Sequence, residues 1–395
     1  MKSGPLTHLK ILDFSTLLPG PYASLVLTDL GADTLRIVSG SRPDIATMMP
    51  PFLNGTDISA NAAWLGRGKR SITLNLKKKK AVTIIKKLIA EYDILLEQFR
   101  PGVMQRLGLG YEDLKTINPG LIYCSLTGYG QDGPYAQKAG HDINYLARSG
   151  LMSYSGTKSH GPVLTGMQIA DMAAGSNNTI IAILAAVLHR NYTGKGQYID
   201  ISMRDGVVPF NGMAAAAALV DDGLHPVREE DVLNGGSLYD FYETKDNEYL
   251  SFGGLEPQFF KAFCNAIGYP EFIKGGVIPD DIEQVKLRIK KKIKTKTRKE
   301  WEDVFKQVDA CVEPVLTLSE TLNSPDILKR GVVVDVALPE GGTVRQLGTP
   351  MLFSGTPIHY AKAGQPAGTD NKNVLLELGY TKEAIENFKD SGIFN

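Results

Sequence analysis

The first 130 residues alternate short apolar strands with helices, and this order constrains the fold more than any other feature of the chain. Residues 9–38 predict a strand (LKILDF), a loop (STLLPGP), a helix (YASLVLTDLGA) and a second strand (DTLRIV). In a strand–helix–strand unit the two strands run parallel and the helix packs on one face of their sheet. The sequence therefore predicts an α/β fold with a parallel sheet covered by helices.

Further strand and helix segments continue this pattern. RSITLNL (70–76) alternates as a strand does and leads into a helix over 79–92, and DILLEQF (93–99) and LIYCSLTGYG (121–130) predict more strands. None of the strand-to-helix turns carries the GxGxxG pattern that seats a dinucleotide on a helix N-terminus. The sequence therefore gives no support to nicotinamide binding.

The pattern changes beyond residue 220. A polar, glycine-bearing segment, 221–236, has the composition of a linker. A hairpin is predicted over 237–254, and the segment 256–310 is mainly helical in pattern. We therefore expect a second, smaller domain over 225–325.

Composition excludes a global electrostatic partner. Lys plus Arg and Asp plus Glu number 43 each, so no net field draws the chain to nucleic acid or to an anionic membrane. The basic run VKLRIKKKIKTKTRK (285–299) is flanked by carboxylates and lacks interleaved aromatic residues, which favours a solvated helix face over a nucleic-acid arm. We expect neither nucleic acid nor a membrane among the partners.

Cysteine usage and the absence of long apolar runs predict a cytoplasmic protein. The three cysteines lie far apart and form no CxxC or Cys/His pattern, so neither a disulfide framework nor a zinc site is expected. No uninterrupted apolar stretch reaches the ~18 residues of a membrane span, and no signal peptide is recognisable.

His141, in AGHDINYLARSG, is the strongest candidate for chemistry. An imidazole, with an unperturbed pKa of about 6.5, can serve as acid and as base at neutral pH. The alternative is a histidine whose ring is hydrogen-bonded in a packed loop. Its neighbour Asp142 either orients a backbone turn or takes part in the same site.

Two carboxylates are the other candidates. Asp171 stands at the head of a long apolar helix, predicted over 171–191, where unsatisfied N–H groups should lower its pKa, and it could equally be a helix cap. Glu256, in LEPQFF, precedes a predicted helix and is either an ordinary first-turn residue or the partner that fixes the tautomer of a histidine.

An ordered set of motifs over residues 4–360 resembles family III CoA-transferases, and within them the α-methylacyl-CoA racemase branch. The motifs are GPLTHLKILDF (4–14), PGPYAS-x5-LGAD (19–33), RPGVMQRLGLG (100–110), LTGYGQDGP (126–134), AGHDINY (139–145), ADMAAGS (170–176) and TGKGQYID (193–200). Only Gly253-Gly254 stands where the transferases carry a glycine-rich loop over their intermediate, and LEPQFF matches the racemases better.

The resemblance implies a fold and an assembly. Family members have a Rossmann-like large domain built from both ends of the chain and a smaller α+β domain, and they form interlocked homodimers. For this chain, residues 1–224 and the returning segment 326–395 would form the large domain, with 225–325 as the small one. Glu256 would then approach His141 from the other chain.

The resemblance also implies roles for individual residues. His141 and Asp171 would be the acid/base pair, Glu256 would hydrogen-bond the histidine, and the backbone N–H groups of Asp171 and Met172 would stabilise an enolate oxygen. The positions that align with CoA contacts are Leu74, Asn75, Leu76, Lys77, Gln98, Phe99, Arg100, Arg106, Gly140, Asp142, Ile143, Asn144 and Tyr145. Where racemases can carry an arginine after the second strand, this chain has Ser39, and Arg42 and Arg67 are candidates to replace it.

Three activities fit these residues at the level of sequence. A racemase would remove the α-proton of a 2-methylacyl-CoA on one face and return one on the other, without a metal or a cofactor beyond the CoA of its substrate. A CoA-transferase would instead use Asp171 as a nucleophile that forms acyl and CoA esters. A CoA-binding protein without turnover is the third alternative.

Overall fold

The computed structural model describes residues 3–42 and 44–394. The strands are β1 (Lys10–Asp13), β2 (Asp33–Val38), β3 (Arg70–Thr73), β4 (Ile94–Glu97), β5 (Ile122–Thr127), β6 (Gln197–Ser202), β7 (Asp240–Glu243), β8 (Tyr249–Phe252), β9 (Val312–Pro314), β10 (Val333–Ala337) and β11 (Thr343–Leu347).

Helices connect most of these strands. They are α1 (Pro19–Asp29), α2 (Ala60–Leu65), α3 (Lys79–Ile89), α4 (Val103–Arg106), α5 (Tyr111–Leu114), α6 (Asp142–Arg148), α7 (Leu151–Tyr154), α8 (Asn177–Thr193), α9 (Met203–Val207), α10 (Gly212–Val220), α11 (Pro257–Ile267), α12 (Ile282–Ile293), α13 (Arg298–Phe305), α14 (Leu318–Asn323), α15 (Pro325–Lys329), α16 (Asn371–Glu377) and α17 (Lys382–Asp390). A π-helical turn, Ile169–Ser176, runs directly into α8.

The described chain folds into two compact units. The first comprises the chain up to Ser149, Thr165–Phe210 and the chain from Pro325 onward, and the second comprises Gly150–Leu164 and Asn211–Ser324. The residues 150–164 and 211–224 therefore belong to the smaller unit, whereas the boundaries drawn from sequence place them in the larger one.

The first unit contains a six-stranded parallel sheet with the order β3-β2-β1-β4-β5-β6. This is the doubly wound arrangement, in which the chain starts in the middle and reverses direction between β1 and β4. The α/β fold with a Rossmann-like sheet is thus confirmed. Strand β2 has the bounds predicted from DTLRIV, and the other predicted strands are observed with shorter ends.

The helix α3 shows how the sequence covers this sheet. Its apolar residues recur at spacings of three and four, so one stripe is buried while the lysines remain outside. Ile85 and Leu88 of this stripe pack in one core with Leu12 and Leu95 of the central strands. Burying each such side chain contributes roughly 2 kcal/mol.

The C-terminal segment protects the outer strand β3. The N–H groups of Ser71 and Thr73 donate to side-chain oxygens of Asp370 and Asn371, each at 2.8 Å, and the N–H of Asn75 donates to the carbonyl of Ile393 at 2.7 Å. These contacts use donors that an edge strand would otherwise offer to another chain.

The second unit has its own sheet and core. Strands β7, β8 and β9 form an antiparallel sheet, and the core side chains include Phe252, Phe263 and Trp301. The hairpin and the helical segment were predicted from sequence, but the third strand β9 was not. Arg288 and Lys294 of the basic run pair with Glu271 and Glu243, at 2.5 and 3.0 Å.

The segment Ile169–Thr193, within the described residues, is long and apolar enough to cross a membrane by length and composition. The core helices of globular proteins can reach the same length and mean hydropathy. The segment packs against α1, β5 and β6 of the first unit.

A buried ion pair links two elements of the first unit. Arg67, 1% exposed, donates through Nε and Nη2 to both carboxylate oxygens of Asp29, at 3.0 and 2.6 Å, and through Nη1 to Gln346 and the Leu347 carbonyl. Arg67 is therefore a structural residue and cannot replace the missing arginine of the CoA site. Arg42 is exposed.

Replacing Arg67 by methionine should strongly destabilise the protein, because the carboxylate of Asp29 would stay buried without its partner. We expect a loss of about 3–5 kcal/mol in the free energy of unfolding, measured by urea denaturation at pH 8. Lys115→Met removes a surface ammonium that pairs with Glu112 and should leave the midpoint unchanged. Equal midpoints for Arg67→Met and the unaltered protein would contradict the assignment.

Candidate active site

The candidate site lies at the carboxyl ends of the parallel strands. In doubly wound sheets, ligands bind where the strand order reverses, here between the ends of β1 and β4. Gln98, Phe99 and Arg100 directly follow β4, and Asn75 to Lys77 lie just beyond β3. The sheet therefore brings two of the predicted CoA-binding segments to the same edge.

A buried cluster of charges holds the turn after β1. Asp13, fully buried, accepts hydrogen bonds from the N–H and hydroxyl of Ser15 and from the hydroxyl of Ser24, the last at 2.5 Å. Lys69 donates to Ser24 at 2.6 Å and lies 3.6 Å from Asp13. Burial lowers the pKa of Lys69 to about 7. The polar groups of this turn are thereby satisfied inside the protein.

Glu97, at the end of β4, is a site residue that sequence reasoning missed. It is 3% exposed, accepts a hydrogen bond from the hydroxyl of Ser125, and accepts another from the N–H of Phe99 at 2.7 Å. Burial raises its pKa to about 7. The signal in the sequence is a carboxylate inside the apolar strand DILLEQF, and its contact shapes the loop that carries Gln98 to Arg100.

His141 lies at the N-cap of α6, and its side chain is exposed. Its N–H donates to Oδ1 of Asn144 at 3.0 Å, which fixes the backbone where the helix begins. The residue is thus exposed at the start of the helix, and its role as an acid or base stays a prediction.

Tyr145 sets the course of the loop before His141. Its hydroxyl donates to the carbonyl of Gly140 at 2.5 Å, and its ring packs edge-on against Tyr129 at 5.1 Å between centroids. A Cβ on Gly128 or Gly140 would lie 2.4 or 2.7 Å from this ring, so both positions need glycine. Tyr145 is buried and so packs beneath the site.

Asp171 lies inside the first turn of the π-helical segment, whose N-cap is Gln168. Its N–H donates to Oδ1 of Asp142 at 3.0 Å. Burial, and secondarily the charge of Asp142, raise the pKa of Asp171 to about 7. The expected lowering of this pKa is wrong, because burial outweighs any stabilisation of the charge by the helix N-terminus. The helix-cap alternative for Asp171 is wrong as well.

One hydrogen bond brings the segment that follows His141 against the π-helical turn. Asp142, the neighbour of His141 in sequence, reaches the backbone of Asp171 across 29 positions. A carboxyl such as that of Asp171, which titrates near neutrality, can both donate and accept a proton.

Comparison with known proteins agrees with this geometry. The family model for CoA-transferase family III matches residues 6–371. The chain belongs to this family. It is 34% identical to the human alpha-methylacyl-CoA racemase, over 96% of this chain and 95% of the relative. It is 31% identical to the human succinyl-CoA:glutarate CoA-transferase, over 98% and 90% respectively. A CAIB/BAIF family protein from Brucella suis shares the fold with a TM-score of 0.83, at 27% identity over 95% of this chain and all of that one.

The predicted CoA-contacting residues of this member of CoA-transferase family III include three cations. Lys77, Arg100 and Arg106 are exposed. Leu74 is 1% exposed and its N–H donates to the carbonyl of Val38 at 2.9 Å, so its side chain belongs to the core and not to a ligand site.

The remaining predicted contacts differ in how far they are exposed. Ile143 and Asn144 are exposed, while Asn75, Leu76, Gln98, Phe99, Gly140 and Asp142 are half-buried.

Glu256 belongs to the second unit, whereas His141 and Asp171 belong to the first. It is the exposed N-cap residue of α11 and precedes Pro257. Its charge contributes, after burial and Asp309, to raising the pKa of Cys311. Its predicted contact with His141 stays a prediction.

The predicted oxyanion donors are both engaged. The N–H of Asp171 donates to Asp142, and that of Met172 donates to the carbonyl of Gln168 at 3.0 Å. A substrate oxygen would have to replace one of these acceptors, so the oxyanion role stays a prediction.

The raised pKa of Asp171 predicts a pH-dependent stability. Between 3.8, its ordinary value, and about 7, the folded state binds more protons than the unfolded state. The free energy of unfolding should therefore fall as pH rises through this window and level off above it. Asp171→Asn should lose this dependence. Its free energy of unfolding, measured by urea denaturation, should therefore increase relative to that of the unaltered protein from pH 4 to 7. Met172→Leu, in the same turn, should show a difference that does not change with pH; a constant difference for Asp171→Asn would refute the raised pKa.

Proposed function

We propose that the protein is a racemase that inverts C2 of 2-methylacyl-CoA thioesters by two-base proton transfer through an enolate. The observation that carries this proposal is Asp171, a carboxyl with a pKa of about 7 whose backbone is bonded to the residue following His141. A group that is half protonated at neutral pH can serve as the acid for one enantiomer and as the base for the other.

In the proposed reaction, His141 accepts the α-proton of one enantiomer and protonated Asp171 delivers a proton to the opposite face. For the other enantiomer the two residues exchange roles. The negative charge that develops on the thioester oxygen needs N–H donors. Those of Asp171 and Met172 would supply them by exchanging their present acceptors, the Asp142 carboxylate and the Gln168 carbonyl, for that oxygen. The exchange consumes no redox cofactor and no metal, and CoA enters as part of the substrate.

The CoA moiety would lie along the carboxyl edge of the sheet. Its phosphates need cations in a groove. Lys77 and Arg100 are exposed on the loops after β3 and β4, and Arg106 is exposed at the end of α4.

A homodimer is part of the proposal. Helix α10 is almost entirely apolar and buries none of its residues within one chain; Leu219 and Val220 are 87% and 90% exposed. Apolar surface of this kind marks a protein interface, and a second copy of the chain is the partner we propose. That copy would also supply Glu256 to His141.

The second candidate is a CoA-transferase that moves CoA to a free carboxylic acid. The 31% identity to a succinyl-CoA:glutarate CoA-transferase favours it. In that reaction Asp171 would attack the thioester and release CoA as a thiolate, which leaves an acyl anhydride on its carboxyl. The thiolate would then attack the aspartyl carbonyl and release the donor acid, which leaves a CoA thioester on Asp171 for transfer to the acceptor acid.

The racemase proposal predicts two separable outcomes in heavy water. With each enantiomer of a 2-methylacyl-CoA, the unaltered protein should invert C2 and introduce deuterium there. His141→Gln and Asp171→Asn should each lose inversion by about 100-fold or more. Each variant should still introduce deuterium into the one enantiomer whose α-proton faces the base that remains. His160→Gln, an exposed histidine of the second unit, is the control and should behave as the unaltered protein does.

The transferase alternative predicts a different result in the same preparations. Activity would then require a free acid, a covalent adduct would appear by mass spectrometry on the peptide that contains Asp171, and His141→Gln would keep most of the activity. Absence of C2 exchange with every thioester tested would count against the racemase.

A further inference from the structure

We propose that Ser176 is a positioning residue for Asp171. It links Asp171 to the loop that contains Gln98, and the peptide between Pro19 and Gly20 makes the connection. The inference rests on the proposed function, because it concerns the placement of the carboxyl that would exchange the proton.

Ser176, the last residue of the π-helical turn, contacts Asp171 in the first part of that turn. It is fully buried, and its hydroxyl lies 2.7 Å from the carbonyl oxygen of Pro19 and 3.0 Å from that of Asp171. A hydroxyl has one proton, so the two carbonyls share it. The contact with Asp171 spans five positions, as does the bond from the N–H of Asn177 to the carbonyl of Met172. The side chain of Ser176 thus reinforces the π register.

The Pro19–Gly20 peptide connects this turn to the CoA-binding edge. Its carbonyl accepts from Ser176, and its N–H donates to Oε1 of Gln98 at 3.1 Å. The carbonyl of Pro19 and the N–H of Gly20 belong to one planar peptide. A movement of Ser176 that rotates this peptide therefore also changes the hydrogen bond to Gln98. A Cβ on Gly20 would lie 2.2 Å from that of Ser15, so this position needs glycine.

The hydrogen bonds of Ser176 matter because a π-helical turn has a higher free energy than an α-helical one. Relaxation to the α register would displace the turn by one residue, which rotates a side chain by about 100° around the helix axis. The carboxyl of Asp171 would then leave its place beside Asp142. Misplacement of a reacting group by about 1 Å can cost about 100-fold in rate.

The test is Ser176→Ala beside a matched control on the same helix. Thr179→Val also removes a fully buried hydroxyl, one whose neighbour is the thiol of Cys124. In the heavy-water assay, Ser176→Ala should lower kcat for inversion about tenfold or more, while KM for the acyl-CoA changes less than about twofold. Thr179→Val should keep both. An unchanged kcat in Ser176→Ala, or an equal loss in both variants, overturns the proposal.

A second readout does not depend on activity. Amide hydrogen exchange of the segment 169–177, followed by mass spectrometry, should be at least about fivefold faster in Ser176→Ala than in the unaltered protein and in Thr179→Val. Equal exchange in all three proteins overturns the proposal. If the unaltered protein inverts no thioester, the proposed function fails, while this measurement still decides whether Ser176 holds the turn.

Discussion

The carboxylate of Asp142 on the backbone of Asp171 is the contact on which the candidate site depends. It ties the N-terminus of α6 to the π-helical turn, and so it brings the GHDINY segment and the ADMAAGS segment together. It also places a second carboxylate beside Asp171. Because the side chain is largely buried and, secondarily, because the charge of Asp142 lies nearby, the carboxyl holds its proton up to neutral pH. The contact thus places the residue and adds to the effect of burial on its proton affinity.

The periodicity of the sequence was sufficient to predict the sheet. Strand β2 and the buried stripe of α3 follow directly from the spacing of apolar residues, since that spacing decides which face can be buried. The residues of the candidate site came from the motifs they share with family III CoA-transferases. Neither source revealed Glu97 as a buried carboxyl that shapes the loop after β4.

Errors arose where a contact joins distant positions. The pKa of Asp171 depends on Asp142, and the burial of Arg67 depends on Asp29, which lies 38 positions away. An arginine and a helix-start aspartate each have an ordinary solvent-exposed role that local sequence favours. Only the folded chain shows that Arg67 is buried against the carboxylate of Asp29 and that Asp171 contacts a second acid, Asp142.

The pairing of β3 with residues 370–393 has a consequence for how the protein is made. Thr73 and Asn371 are 298 positions apart, and the entire second unit is synthesised between them. During synthesis on the ribosome, the N–H donors of β3 remain unpaired until residues 370–393 have been made. Until then they can bind a strand of another chain. Contacts of such long range also slow the search for the native state. The nascent protein should accordingly be most prone to aggregate while its sheet is nearly complete but still lacks that border.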